Sequence, residues 1–145
     1  MGHTRGELYA TTWGPASLLE ISKQVHSKEY LEYLRAFVEA VLAYTGAEKV
    51  DIISHSMGVT LARKVVKGGY VAGVGFNLGE SLTHRVDSFV GIAGANYGLT
   101  SCAGTMVLLY DTCNDDNGFY PGWAPGLGLS TYLDDMNEDG TKEGQ

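Results

Sequence analysis

Positive charge is scarce in this chain: 10 Lys and Arg stand against 17 Asp and Glu in 145 residues, a formal net charge of −7 with a pI near 4.9. An acidic surface repels phosphate backbones and anionic headgroups alike, which excludes nucleic acid and anionic membrane faces as partners. No run approaches the roughly 20 apolar residues that span a bilayer, and Met1-Gly2-His3-Thr4-Arg5-Gly6-Glu7 holds no apolar signal core. Cysteine is limited to Cys102 and Cys113, whose spacing fits no zinc pattern. The acidic residues Asp134, Asp135, Glu138 and Asp139 fail the calcium-loop pattern, because Gly140 is misplaced and no Glu follows at the proper distance. They read as a solvated acidic tail, and no motif asks for a metal or an organic cofactor.

Apolar residues and glycine are abundant. With 44% hydrophobic and 19% charged residues, the composition is that of a folded domain, and 145 residues suit one domain with a real core. Glycine, 20 residues in all, lies mostly after Gly68, so the second half should be rich in turns. Both cysteines fall in that half. In a secreted protein they would close one surface loop as a disulfide; in a reducing compartment they would remain two thiols.

Leu8-Tyr9-Ala10-Thr11-Thr12-Trp13, ended by Gly14-Pro15, is β-prone and predicts a strand; Ser17 to Lys23 predicts a brief helix. From Lys28 to Tyr44 the apolar residues Tyr30, Leu31, Leu34, Phe37, Val38, Val41 and Leu42 recur at three- and four-residue steps, an amphipathic helix with Ser27 as N-cap and Gly46 just past its end. Lys49 to Ile53 predicts a strand, Ser56 to Val66 a helix stopped by Gly68-Gly69, Tyr70 to Arg85 a loop, and Val86 to Ala93 a strand. This alternation predicts three parallel strands with helical crossovers, the middle of an α/β sheet. Between Tyr97 and Leu133 no period is sustained, and Phe119, Tyr120, Trp123, Leu127, Leu129 and Tyr132 are scattered among Gly and Pro. Such a segment is either a cap or lid over a crevice at the carboxyl ends of the strands, or an aromatic satellite core under a long loop.

The strand-to-helix junction carries the chemistry. Ser54-His55-Ser56-Met57-Gly58 has the small-x-Ser-x-Gly form of a nucleophile elbow, which forces the serine onto a strained turn so that its hydroxyl stands clear. Ser56 opens a helix, so the first-turn N–H groups and the positive end of the helix dipole face any oxyanion forming beside it; the N–H of Met57 is the expected donor. His55 is not a credible base, since a residue adjacent along the chain points away from the serine on such a turn. A serine that merely caps a helix after a buried strand would give the same letters.

Glu7 to Gly14, Lys49 to Gly58, and Val90-Gly91-Ile92-Ala93-Gly94-Ala95-Asn96-Tyr97-Gly98-Leu99 together resemble the class 2 lipases, in particular the nematode lipase-related proteins. The resemblance runs from about Gly6 to Leu133. It implies a partial α/β-hydrolase fold across residues 1–145, a parallel sheet with flanking helices and a loop-rich cap over residues 97–133. It also implies a secreted serine esterase or lipase with Ser56 as nucleophile, acting on a lipid or small ester substrate. Members of the family begin with a strand and a His-Gly turn that supplies a second oxyanion N–H, and end with units bearing the acid and then the histidine. Neither is found here: His84 is the only histidine after Ser56, and it falls before its strand. The expectation is therefore an internal or truncated portion of a lipase that carries the nucleophile without its acid and base. The alternative from another class is a catalytically silent module whose aromatic cap binds lipid or protein. Nothing in the residues sets the oligomeric state.

Overall fold

A computed structural model describes residues 4–15, 17–122 and 128–144. His3, Trp123 and Leu127 lie outside the described residues.

The predicted long helix forms as α1, Lys28–Thr45, for the reasons its sequence offers. Ser27 is its N-cap, extended at φ −94° and ψ 158°, with its hydroxyl accepting from the Tyr30 N–H, and Gly46 ends it in the left-handed region at φ 68°. Its apolar stripe places Leu31 and Leu42 in the core. The brief helix before it is a 3-10 turn over Leu18–Lys23.

The strand expected at Leu8–Trp13 does not form. A strand exists only through its partner, and none of the described strands runs beside this segment. Its β-prone side chains lie along α1 instead: the Tyr9 ring stands edge-on to Tyr44 at 6.2 Å, Thr11 Oγ1 is 2.6 Å from the Tyr33 hydroxyl, and Trp13 packs edge-on against Tyr30 at 5.1 Å. The aromatic and threonine residues that raised β propensity are here serving tertiary contacts.

β1, Val50–His55, leads into α2, Met57–Lys67, which ends at Gly68. The expected loop that follows contains a minimal antiparallel hairpin, β2 (Tyr70–Val71) with β3 (Phe76–Asn77), and a 3-10 turn over Thr83–Arg85. β4, Val86–Ile92, then lies parallel to β1, with Ile53 opposite Val90 and His55 opposite Ile92. Among the described residues the parallel sheet thus has two strands where three were expected. The β1–α2–β4 unit is nevertheless the α/β arrangement that the alternating pattern implied.

The core centres on α2 and not on the sheet. Val59, Leu61, Val65 and Val66 are buried together with Lys64 and Lys67, so α2 is covered on nearly every side. A buried ammonium is costly unless paired and hydrogen-bonded. Lys64 Nζ meets Asp135 at 3.1 Å, and Lys67 Nζ donates to the carbonyls of Asp139 and Thr141 at 2.7 and 2.5 Å. Arg63 joins them, its Nε 2.7 Å from Glu143 and its Nη1 3.0 Å from Asn137.

Those partners correct the reading of the acidic tail. Residues Thr131–Glu138 are a helix, α3, and Tyr132, Leu133 and Met136 on one side of it are buried. Asp134 and Glu138 are exposed as expected, while Asp135 and Asp139 face the lysines of α2. The i, i+1, i+4 apolar spacing was present in the sequence but masked by the acidic residues around it.

Residues 97–122 are 3-10 turns, at Thr100–Cys102, Gly104–Leu108 and Asp111–Cys113, without a longer helix or strand. Cys102 and Cys113 are disulfide-bonded with Cα atoms 4.9 Å apart, and both are buried. Closing a loop of about a dozen residues is worth about 3 kcal/mol in the chain-entropy model. Reduction is expected to lower stability by that amount in urea titrations. Thiol titration of the unfolded, unreduced protein is expected to find no reactive cysteine; finding two would remove the bond.

Candidate active site

Ser56 lies at the carboxyl end of β1, exposed, as the residue that turns strand into α2. Its backbone is at φ 55° and ψ −132°, and with Ala93 it is one of two non-glycine residues at positive φ among those described. Such a conformation costs on the order of 1–3 kcal/mol and persists only where the surroundings over-determine it. They do so here: the Ser56 N–H donates to the Ile92 carbonyl at 2.9 Å, and its carbonyl accepts from the Val59 N–H at 3.0 Å. A serine placed only to cap a helix looks different, as Ser27 shows with its extended backbone and its hydroxyl engaged. The Ser56 side chain makes no cap hydrogen bond and is left to face solvent. The Met57 N–H, first of the orphan donors of α2, donates to no described backbone carbonyl.

The small residues flanking the turn have distinct structural reasons. A Cβ at Gly58 would stand 3.4 Å from Trp13 Nε1, so glycine lets the indole close over the first turn of α2. Cβ atoms at Gly91 and Gly94 would fall 2.8 and 2.7 Å from Val59 Cγ1, which sets how closely α2 packs on the end of β4. Ser54 Oγ, on the covered side of β1, is buried without a hydrogen-bond partner among the described residues. An unsatisfied hydroxyl costs about 1–3 kcal/mol, a cost that a glycine at this position would not carry.

None of the described histidines is placed to take a proton from Ser56. His55 alternates to the exposed face of the sheet with Ile53. His84 sits in the turn before β4, at the amino end of the strands, while Ser56 sits at the carboxyl end. His26 is fully buried and committed: Nδ1 is 2.7 Å from the Asn117 carbonyl and Nε2 is 2.7 Å from Thr60 Oγ1. A carbonyl can only accept, so the neutral ring carries its proton on Nδ1 and Nε2 accepts from Thr60. The ring stacks on Tyr132 at 4.0 Å and meets Phe119 edge-on at 4.8 Å. This burial pulls its pKa from 6.5 down to about 4, against the opposing pull of the Asn117 carbonyl. Tyr132 in turn donates its hydroxyl to the Thr60 carbonyl at 3.0 Å, and burial raises its phenol well above the ordinary value of 10.

Sequence reasoning missed this cluster of His26, Thr60, Asn117 and Tyr132, which holds the inner side of α2 one turn beyond the serine. The residues are far apart along the chain and no periodicity links them. Trp13 was likewise read as a strand residue, and its place over Gly58 had no local signal. An open, shallow depression lined by Lys49, His84 and Arg85 lies at the opposite end of the strands from Ser56.

A parallel β–α–β unit whose strand passes through a strained, exposed serine into a helix defines an α/β protein with the local geometry of a hydrolase elbow. The family model of lipase (class 2) matches residues 1–145, and the chain belongs to that family. Its fold is accordingly that of the α/β hydrolases, in part. No curated protein matches the chain in sequence.

Proposed function

We propose that the chain is a secreted serine ester hydrolase of lipase type, acting in lipid catabolism on triacylglycerols or other carboxylic esters. Ser56 is the nucleophile and the Met57 N–H an oxyanion donor. The observation that carries this reading is the backbone of Ser56, held at φ 55° on the turn from β1 into α2 in a class 2 lipase. In the reaction Ser56 Oγ attacks the ester carbonyl carbon, its proton passes to a base and from there to the departing alcohol, and water then hydrolyses the acyl-serine. The bonded Cys102 and Cys113 support an extracellular setting, because such bonds persist where the surroundings are oxidising. Residues 97–133 are the cap of this reading.

The base is not among the described histidines, and a serine hydroxyl without one is a weak nucleophile. Loss of triad members costs on the order of 10⁴- to 10⁶-fold in rate, leaving roughly 10³-fold over water from binding and oxyanion stabilisation. The chain by itself is therefore expected to hydrolyse a short-chain nitrophenyl ester slowly, with added imidazole raising the rate and Ser56→Ala removing both the slow and the raised component. Equal rates for the two proteins, with and without imidazole, would defeat the reading. They would favour the second one, a silent lipase-like module that binds lipid or protein, for which the locked state of His26 is the supporting observation.

A further inference from the structure

The two non-glycine residues at positive φ among those described, Ser56 at 55° and Ala93 at 52°, follow directly on β1 and β4 and so stand side by side at the carboxyl ends of the paired strands. The Ser56 N–H joins them by donating to the Ile92 carbonyl at 2.9 Å. That carbonyl belongs to the peptide between Ile92 and Ala93, so a relaxation of Ala93 out of the left-handed region would turn it away from the serine. A strained residue keeps its conformation only while the chain on either side of it is held. The chain beyond Ala93 is held at Asn96, which is bound twice: its Oδ1 accepts from Arg63 Nη1 at 3.0 Å, and its backbone carbonyl accepts from Asn137 Nδ2 at 2.8 Å. The same Arg63 Nη1 donates to Asn137 Oδ1 at 3.0 Å, and Nε reaches Glu143 at 2.7 Å. One guanidinium on α2, its side chain 16% exposed, thus ties the turn after β4 to α3 and to Glu143.

We infer that Arg63 is a positioning residue for Ser56. Acting through Asn96, it fixes the turn after β4, keeps Ala93 in its strained conformation and so holds the Ile92 carbonyl on the Ser56 N–H. Arg63 lies seven residues along α2 from the serine, about 10 Å down the helix axis, so its effect passes through the end of β4 and not by contact with a reacting atom. The charge pair with Glu143 does not by itself require arginine. An ammonium could meet that carboxylate, but its single nitrogen could not do so while a second nitrogen bridges two amide oxygens, as the guanidinium fork does. Asn137 closes the arrangement, since its amide accepts from Arg63 with one end and donates to the Asn96 backbone with the other. That the positioned serine is a nucleophile rests on the lipase reading; that it is positioned does not.

Hydrogen exchange at single amides of the 145-residue chain tests the positioning without any substrate. In Arg63→Lys the Ser56 amide is expected to exchange at least tenfold faster than in the wild type, while the amide of Val65, buried on α2, exchanges as before. Asn96→Ala is expected to reproduce this loosening, and Asn96→Asp, which still offers Arg63 an oxygen, to prevent it. Glu143→Gln removes the charge pair and leaves Asn96 in place, so Ser56 is expected to stay protected in it whatever the change in melting temperature. A fluorophosphonate probe then reads the chemistry: Ser56 is expected to label at least tenfold more slowly in Arg63→Lys than in the wild type, and at the wild-type rate in Asn96→Asp. Unchanged Ser56 exchange in Arg63→Lys, faster exchange shared equally by Ser56 and Val65, the same loosening in Glu143→Gln, or equal labelling of Arg63→Lys and the wild type would each overturn the assignment. A wild-type Ser56 that the probe does not label, with the exchange pattern as expected, would strike the lipase reading alone.

Discussion

Gly68→Ala is expected to destabilise the chain by about 4 kcal/mol, read as a fall in the urea midpoint with an unchanged slope. Gly68 ends α2 at φ 68° and ψ −151°, a region that side chains rarely adopt. A Cβ there would also stand 2.6 Å from the Gly79 carbonyl oxygen and 2.7 Å from that of Glu80. Both are backbone atoms and cannot rotate aside. They are held by the Gly69 N–H donating to the Gly79 carbonyl at 2.7 Å and the Leu78 N–H to the Gly69 carbonyl at 2.9 Å. The neighbour provides the control. Gly69 has a similar φ of 73° but nothing within 4 Å of its Cβ position, so Gly69→Ala is expected to cost only about 1 kcal/mol. Equal losses at the two positions would mean that backbone conformation alone, and not the close approach of the hairpin, requires glycine at 68.

Replacing His26 is expected to be of similar size and to carry a pH signature. His26→Ala removes a fully buried ring stacked on Tyr132 and leaves the Asn117 carbonyl without its ring donor, a loss of about 4 kcal/mol at neutral pH. The acid limb follows from linkage. Unfolded, the ring takes up its proton near pH 6.5; folded, it refuses until about 4. Between those values the unfolded state binds more protons, so stability is complete above pH 6.5 and falls as the pH drops toward 4, by roughly 3 kcal/mol in all. Protonation would also give Nε2 a hydrogen and force Thr60 to turn its own toward the Met57 carbonyl, 2.9 Å away. His26→Phe is expected to flatten this limb while keeping the ring volume, as measured by thermal unfolding from pH 7 to 4. An equally steep limb in His26→Phe would assign the acid sensitivity to the carboxylates instead.

What was legible in the sequence was the local order. The period of Tyr30 to Leu42 with Ser27 and Gly46 at its ends, and the apolar run breaking at Ser56, each encode an element within one stretch of chain, and both stand where the pattern placed them. What failed was contact at a distance. Leu8 to Trp13 has the residues of a strand, but a strand is made by its neighbour, and these side chains found α1 first. The helix at Thr131–Glu138 was hidden because its acidic residues read as solvated, when Asp135 is in fact the counter-ion of a lysine inside the core. At the candidate site the serine and its turn were readable, since strain there is written into five adjacent residues. The lock at His26 was not, because its partners come from three separate parts of the chain.

That lock also bears on time. The bonds between His26 and Asn117 join residues 91 apart, and those from Lys67 to Thr141 residues 74 apart. Closing such loops is entropically dear, so these contacts are expected to form after α1 and the β1–α2 turn, which are made from near neighbours. Contacts absent from the transition state govern the rate of escape from the native state more than the rate of reaching it. The buried histidine is therefore expected to govern how long the native state, with its strained serine, persists once folded more than how quickly the chain first gets there.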